Sequence, residues 1–276
     1  MTWWPVLVVA GPLAVSYVLA LRARPASLPG WPRHRAWAWG VGCALVAVAL
    51  SPPMTDASLA DHRVHMVQHL LVGMYAPLAL VVGAPVALAL GSASRDAARR
   101  TARALRSTPV RVLSHPVTAA ALSTGGLFVV YLSPAHAVLT SHRGLLLLTL
   151  VHLLASGTLL VWAVAAPAPA PHRARLVTRT TVLVVSAGLH AFLATLLYAR
   201  AAEGTADEHT DHEHGSAHAH HLVDTAQQTA ELTQAAQIMY YGGDLAELAL
   251  ATLLVVGWYR RSRHTSADAD RAGLAA

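Results

Sequence analysis

Seven apolar stretches follow one another along this chain of 276 residues. A helix needs about 20 apolar residues to cross the hydrocarbon core of a bilayer, where it satisfies its own backbone hydrogen bonds. Hydrophobic residues make up 55% of the chain and charged residues only 12%, a balance unlike that of soluble domains. We therefore expect an all-α integral membrane protein with seven transmembrane helices. The predicted segments are 3–21, 36–50, 65–90, 117–132, 144–166, 180–199 and 235–259.

The distribution of arginine predicts the orientation of these helices. Every basic residue counted in the net charge of +6 is an arginine, and most arginines lie in short segments between the apolar stretches. If the seven helices alternate in direction, nearly all of these segments fall on one side. Because positively charged connections stay in the cytoplasm, we expect the N-terminus outside and the C-terminus in the cytoplasm. The positive charge is thus a topology signal, and no nucleic-acid partner is expected.

The sequence indicates a single membrane domain over 1–276 with two polar appendages. Residues 200–231 contain a histidine-rich run with acidic neighbours, which predicts a disordered outer loop that binds metal loosely. Residues 262–276 form the predicted cytoplasmic tail. The histidines of the predicted loop are His209, His212, His214, His218, His220 and His221.

Three histidines open the third apolar segment, and their spacing suggests metal binding. At 100° per residue, His62, His65 and His69 lie within about 60° of arc on one helical face. Imidazole suits copper or zinc, and the nearby thioether of Met66 favours Cu(I). With a single cysteine, any metal must be bound by histidine, methionine or carboxylate side chains. Copper as Cu(I) or Cu(II) is the expected metal, and zinc is less expected. Alternatively, these histidines bond to water or lipid headgroups at the helix end.

Further polar side chains are predicted within or near the membrane. His152, His190 and Asp244 should each lie roughly 12 to 15 Å from the outer boundary, at 1.5 Å per residue. Ionisable groups at that depth usually face one another or a wet cavity. They either extend a metal site or form a purely structural hydrogen-bond network. His136 and His142, in the outer connection after the fourth segment, are near enough to join the metal site or are simply solvated.

Several short motifs resemble the CtaG-type cytochrome c oxidase assembly proteins. The strongest is the run His-Met-Val-Gln-His-Leu-Leu over 65–71, and the resemblance extends along most of the chain. The other matching features are Ala-Pro-Leu over 76–78, Gly-Ala-Pro over 83–85, His-Pro over 115–116, His152 with Trp162, and the segment 234–244. The chain departs from many members at Thr233, at the alanine pair 235–236 and at Tyr240.

This resemblance implies a protein of bacterial respiratory-oxidase biogenesis in the plasma membrane. Members of the family are thought to help deliver copper to the oxidase on the outer face, so cytochrome c oxidase subunits and the lipid bilayer are the expected partners. The paired histidines of the family correspond to His65 and His69. The leading hypothesis is therefore a copper-handling assembly factor that is not an enzyme.

Two other functions remain open from the sequence. A transporter of copper or another divalent metal would use His69, His152, His190 and Asp244 as stations across the membrane. A b-type haem electron carrier would use His152 and His190 as axial ligands. No zinc-protease motif or nucleophile elbow indicates a hydrolase, and the oligomeric state is not specified by the sequence.

Overall fold

The computed structural model describes residues 2–133, 138, 142–165, 170, 172–208 and 217–273, with side chains described except at 201–208, 217–228 and 264–273. All regular secondary structure in these residues is helical, which confirms the predicted class. The helices are α1 (Trp4–Arg22), α2 (Arg33–Ala49), α3 (Pro52–Ala60), α4 (His62–Leu70), α5 (Ala76–Val82), α6 (Pro85–Ser92), α7 (Arg95–Leu105), α8 (Thr108–Leu113), α9 (Pro116–Ala120), α10 (Gly126–Leu132), α11 (Arg143–Ala165), α12 (Leu176–Glu208) and α13 (Ala217–Gly273). Two π turns, π1 (Leu71–Tyr75) and π2 (Ala121–Gly125), connect α4 to α5 and α9 to α10.

Each of the seven predicted apolar segments coincides with helical structure. Five helical runs are long and apolar enough to cross a membrane: Trp4–Arg22, His62–Ser92, Arg143–Ala165, Leu176–Arg200 and Thr229–Arg263. The pair α2 and α3 forms a sixth candidate, bent by 54°. The remaining segment, Pro116–Leu132, is apolar but shorter than these candidates. Length and composition of the described residues thus support five or six spans, while the count of seven and the orientation stay predictions.

The third apolar segment is broken where its prolines lie. Pro77 has no backbone N–H, so the α-helical ladder is interrupted before it, and π1 takes up the change. The second break is at Ala84, whose φ of 51° is left-handed. Pro85 then begins α6 in the first-turn position that suits proline. These breaks widen the space around the segment.

The broken third segment and α11 lie at the centre of the bundle. α11 packs against π1, α5 and α9, while α12 and α13 pack along one another and α13 also packs on α4. On the other side, α2 packs on α5, and α1 packs on α2 and α6. Fully buried apolar side chains such as Val46, Leu88, Val164, Leu193 and Met239 fill the contacts between these helices.

A glycine allows α11 to approach π1 closely. A Cβ atom at Gly157 would collide with the carbonyl oxygen of Gly73 and lie 3.1 Å from Cγ of Pro77. Small residues at such crossings let backbones meet in van der Waals contact, which drives helix association where hydrophobic burial cannot. The crossing fixes α11 against the part of the third segment that carries the histidines.

Helical structure also enters the histidine-rich segment. The sequence predicts disorder over 200–231, but α12 continues to Glu208 and α13 already begins at Ala217. Alanine, glutamine and glutamate are frequent at 225–237, and these are strong helix formers. The eight residues 209–216 lie outside the described part of the chain. The backbone of 200–208 and 217–231 is therefore helical where an irregular loop was expected.

Arginine-rich segments meet at one end of the bundle. A Cβ atom at Gly91 would lie 2.9 Å from a guanidinium nitrogen of Arg24, so the first and third connections are neighbours. At the same end, Leu105 and Arg173 line one small cavity. This arrangement agrees with the segregation of charge that the sequence predicts, and it creates a strongly basic end.

The close crossing at Gly157 predicts that an added methyl group destabilises the protein at this position but not at a glycine that faces open space. We expect Gly157→Ala to destabilise the protein by about 1–3 kcal/mol, because overpacking forces the two backbones apart. The matched control is Gly188→Ala, where the new Cβ atom meets open space and the loss of a helical glycine is neutral or slightly stabilising. Thermal unfolding in detergent measures both effects, and equal midpoints for the two variants would refute the close contact.

Candidate functional site

The N-terminus of α4 is tied down by an acid and an arginine. The carboxylate of Asp61 accepts a hydrogen bond from the backbone N–H of Arg63 at 2.8 Å and caps the helix. The guanidinium of Arg63 also bonds to this carboxylate, with Nη2 to Oδ2 at 2.6 Å. These hydrogen bonds and the positive charge lower the pKa of Asp61 to about 2.

The same arginine connects α4 to α13. Nη1 of Arg63 donates to Oε1 of Gln234 at 3.1 Å, and Glu231 lies 3.9 Å from its guanidinium. Through this contact the start of α4 is held against the last helix. The position and rotation of the histidines that follow are therefore fixed from both sides.

The three histidines of α4 occupy three different environments. His62 is exposed, whereas His65 is half-buried and its Nε2 lies 3.1 Å from the hydroxyl of Tyr131. The Tyr131 hydroxyl also lies 3.9 Å from the sulfur of Met66, which is buried. His69 is only 3% exposed. The helical face predicted from their spacing exists, but it leads from solvent to the interior rather than enclosing one ion.

The deepest of these histidines meets a histidine from α12. The rings of His69 and His190 lie nearly parallel, with centroids 6.3 Å apart, and both side chains are 3% exposed. Nδ1 and Nε2 of His69 and Nε2 of His190 are buried without a hydrogen-bond partner among the described protein atoms. An unpaired buried polar group costs about 1–3 kcal/mol. Such a pair is suited to a ligand that accepts electron pairs from imidazole nitrogens.

These two rings line a small cavity between α4, π1, π2, α11, α12 and α13, which we call the histidine cavity. The thioether residue Met74 and the carboxylate residue Glu247 also line it. The volume of the cavity, measured as the space that the centre of a water-sized sphere can occupy, is about 50 Å³. On the same measure, one water needs about 10 to 15 Å³. The cavity is therefore large enough for a metal ion or a few waters but too small for a haem.

Both π turns contribute to this cavity. Gly73 and Met74 come from π1, and Ser123 and Thr124 come from π2. A π turn widens the helix by one residue and moves side chains and carbonyls out of their regular positions, and it frequently lies at functional sites. The convergence of two such turns on one cavity marks it as the candidate site.

The last helix, α13, brings a carboxylate to the histidine cavity and leaves room for the ring of His190. Oε1 of Glu247 lies 3.6 Å from Nδ1 of His190, slightly beyond hydrogen-bond distance. Four residues earlier on the same face, a Cβ atom at Gly243 would collide with the imidazole of His190. Gly243 is thus required for the ring position. Asp244, the predicted site residue, is exposed and does not line the histidine cavity.

His152 is placed apart from the histidine cavity. Its Nε2 lies 3.1 Å from the carbonyl oxygen of Leu122 in π2. Because a carbonyl oxygen can only accept, Nε2 is the donor, and His152 satisfies a carbonyl that the π turn displaces. His152 does not line the histidine cavity, so His152 and His190 do not face each other there as a haem-ligand pair would.

The other predicted ligands are not brought to the buried pair. His142 is exposed just before α11, and its carbonyl oxygen accepts from the N–H of Leu146 at 3.0 Å. His136 lies outside the described residues. Within the part of the chain that the structure describes, no three His, Cys, Asp or Glu side chains are grouped closely enough to hold one ion. Any metal at the buried pair must therefore be bound by few ligands, with a thioether or a mobile group completing the set.

Sequence reasoning passed over Tyr131 and Gly243 as site residues, and it named Asp244 where the structure brings Glu247 to the cavity. The spacing of Met239, Gly243 and Glu247 places them on one face of α13, and this face is the one that turns inward. That spacing could have identified Glu247, rather than Asp244, as the carboxylate that faces the interior. Tyr131 carried no signal of its own, because it reaches His65 and His69 only through the packing of α10.

The ion pair at the start of α4 predicts a pH-dependent contribution to stability. The pKa of Asp61 is lower in the folded protein than in the unfolded chain, so its stabilising effect is present above about pH 4 and is lost as the pH falls towards 2. At pH 7, we expect Asp61→Asn to lower stability by up to about 1 kcal/mol, since the pair is partly exposed.

Thermal unfolding in detergent at pH 7 and at low pH tests this expectation. Asp96→Asn is the matched control, because Asp96 and Arg99 are 3.9 Å apart and largely exposed. A midpoint of Asp61→Asn that equals that of the unmodified chain at pH 7 would contradict the assigned role.

Mycobacterial proteins resemble the chain over about two thirds of its length. Uncharacterized protein ML1998 of Mycobacterium leprae is 31% identical over 193 residues, which cover 67% of this chain and 29% of that protein. Uncharacterized protein MT0111 of Mycobacterium tuberculosis is 30% identical over 192 residues, with the same coverage of both chains. The chain thus spans less than a third of the length of these curated relatives. No solved structure gives a significant match.

A family model accounts for nearly the whole chain. The family described as cytochrome c oxidase caa3 assembly factor (Caa3_CtaG) matches residues 15–261. The matched range includes α4 with its histidines, His190 and Glu247, and it confirms the resemblance that the motifs of the third and last apolar segments indicated. The chain belongs to the Caa3_CtaG family of cytochrome c oxidase assembly factors.

Proposed function

We propose that this protein supports the assembly of cytochrome c oxidase in the bacterial plasma membrane by holding copper at the His69–His190 pair and passing it to an oxidase subunit. Copper is the cargo in this proposal, and no catalytic turnover is needed. The observation that carries it is the burial of two imidazoles with unpartnered nitrogens in one cavity. Membership in the assembly-factor family supports the choice of partner.

The chemistry of the cavity favours Cu(I) over harder or larger cations. Two neutral imidazoles and the thioether of Met74 are soft or borderline donors, and soft donors select Cu(I). Cu(I) also tolerates low coordination, which agrees with the small number of nitrogen and carboxylate groups near the pair. The carboxylate of Glu247 beside His190 offsets the positive charge of the ion within an apolar surrounding.

An entry path follows the inward face of α4. His62 is exposed at the outer end, His65 is half-buried, and the ring of Tyr131 lies between His65 and His69, with centroids 6.3 Å from each. His65 and His69 also line a second small cavity together with Tyr131. In our proposal copper moves between the exposed and the buried histidines past this tyrosine, so loading and release use the same end of the molecule.

Copper affinity provides the direct test of the buried pair. We expect the full chain in detergent to bind one Cu(I), and the double variant His69→Leu with His190→Leu to lose affinity by more than about 100-fold. Loss of an outer-shell partner of a metal site alone costs about 10- to 100-fold, so loss of both ligands should exceed that range. Competition with a chromophoric Cu(I) chelator measures the affinity.

Two controls separate the pair from other histidines. His152→Leu removes an imidazole that does not line the cavity, and deletion of 203–221 removes the histidine-rich segment. Both variants should bind Cu(I) at the buried pair with unchanged affinity. Binding that survives in the double variant but disappears with the deletion would overturn the proposed site.

The role in assembly is tested in cells. In a strain lacking the protein, we expect membranes to contain cytochrome c oxidase with reduced copper content, restored by the natural chain but not by His69→Leu with His190→Leu. Restoration by His152→Leu is the control. Full copper loading of the oxidase in the strain that carries the double variant would contradict delivery from this site, even if the purified protein binds Cu(I).

A further inference from the structure

A second and much larger cavity lies between α1, α2, the α5–α6 break and α11, which we call the apolar cavity. Its volume, measured in the same way as that of the histidine cavity, is about 740 Å³. Small-molecule sites typically have volumes of about 300–1,000 Å³. Its walls are almost wholly apolar, and Ser16 and Thr158 are the polar residues among those that line it. The occupant of such a space must itself be mostly hydrocarbon.

The apolar cavity has the depth of one bilayer leaflet. Along α11 its lining runs from Val151 to Trp162, which corresponds to about 16 Å of helix axis at 1.5 Å per residue. The hydrocarbon core of a bilayer is about 30 Å thick, so each leaflet contributes about 15 Å. A single acyl chain that enters from the surrounding lipid has the length and polarity to follow this wall.

At its arginine-rich end the apolar cavity adjoins a small basic pocket. Leu105 and Trp162 line both spaces, and the basic pocket is also lined by Ser114, His172 and Arg173. Nε2 of His172 is buried without a hydrogen-bond partner among the described atoms. The two spaces together form an apolar chamber with a polar, positively charged mouth.

Three guanidinium groups converge behind this mouth on the C-terminus of α11. Arg179, only 2% exposed, donates from Nε to the carbonyl oxygen of Val164 at 2.6 Å. Nη2 of Arg173 donates to the carbonyl oxygen of Ala165 at 3.4 Å. Arg261 lies near the same carbonyl oxygen, because a Cβ atom at Gly257 would be 3.4 Å from Nη1 of Arg261 and 3.7 Å from that oxygen. The helix C-terminus carries about half a negative charge, which draws these cations to it.

The positive charges of the neighbouring arginines repel one another. Burial and the charge of Arg261 lower the pKa of Arg173, which lies in the connection between α11 and α12. A phosphate group at this place would offset the repulsion between Arg173 and Arg261 and accept hydrogen bonds from guanidinium and imidazole groups. Basic pockets between membrane helices bind lipid headgroups by this chemistry.

We propose that the protein binds one acidic phospholipid, with its phosphate beside His172 and Arg173 at the opening of the basic pocket and one acyl chain in the apolar cavity. The chamber, its depth and its charged mouth together specify an amphipathic, anionic occupant. The site is separate from the histidine cavity, and the lipid joins α1 and α2 to α11 across the apolar cavity.

Native mass spectrometry of the delipidated full chain tests the proposal. Titration with phosphatidylglycerol should show one lipid that binds at least about fivefold more tightly than phosphatidylcholine with the same acyl chains, since one arginine near an anionic headgroup accounts for about that factor. Arg173→Gln should remove this preference. Arg175→Gln is the matched control, because Arg175 is exposed in the same connection, and it should keep the preference.

Filling the apolar cavity tests whether an acyl chain of the lipid occupies it. Ala155→Phe places a ring among the lining residues and should weaken binding of both lipids by at least about tenfold, whereas Ala44→Phe on the exposed face of α2 should not. Thermal unfolding confirms that each variant is folded. Equal binding of both lipids to the unmodified chain, identical behaviour of Arg173→Gln and Arg175→Gln, or displacement of the bound lipid by millimolar inorganic phosphate would overturn the proposal.

Discussion

The contact between His69 and His190 is the constraint on which the centre of this bundle depends. Two imidazoles, each 3% exposed, are held inside a helical bundle that is otherwise packed with aliphatic side chains. Burial of polar nitrogens without partners is unfavourable, so the surrounding structure must compensate by close packing. The glycine at 243, the close crossing at Gly157 and the capped start of α4 each fix one side of this pair.

The two π turns explain how polar groups reach the interior of a helical membrane protein. Regular helices satisfy every backbone group and leave little room between them. At π1 and π2 the ladder is interrupted, residues of both turns line the histidine cavity, and the displaced carbonyl of Leu122 is satisfied by His152. The same irregularity that opens the histidine cavity thus gives His152 a structural role, which separates it from the pair that we assign to copper.

Much of the fold could be predicted from the sequence, because bilayer thickness and the cost of buried charge act on apolar runs directly. The seven apolar segments, the breaks near Pro77 and Pro85 and the inward face of α4 all followed from composition and spacing. The site itself was predicted only in part. His69 and His190 were identified, but their meeting, the part of Tyr131 and the choice of Glu247 over Asp244 depend on how α4, α10, α12 and α13 pack.

X-ray absorption spectroscopy of the Cu(I)-loaded full chain tests the central claim most directly, because it reports the atoms bound to the metal. The account predicts two imidazole nitrogens and one sulfur around copper, with the sulfur lost in Met74→Leu and the imidazoles lost when His69 and His190 are replaced. A copper environment that is unchanged by these substitutions, or that consists only of ligands lost on deletion of 203–221, would contradict the account.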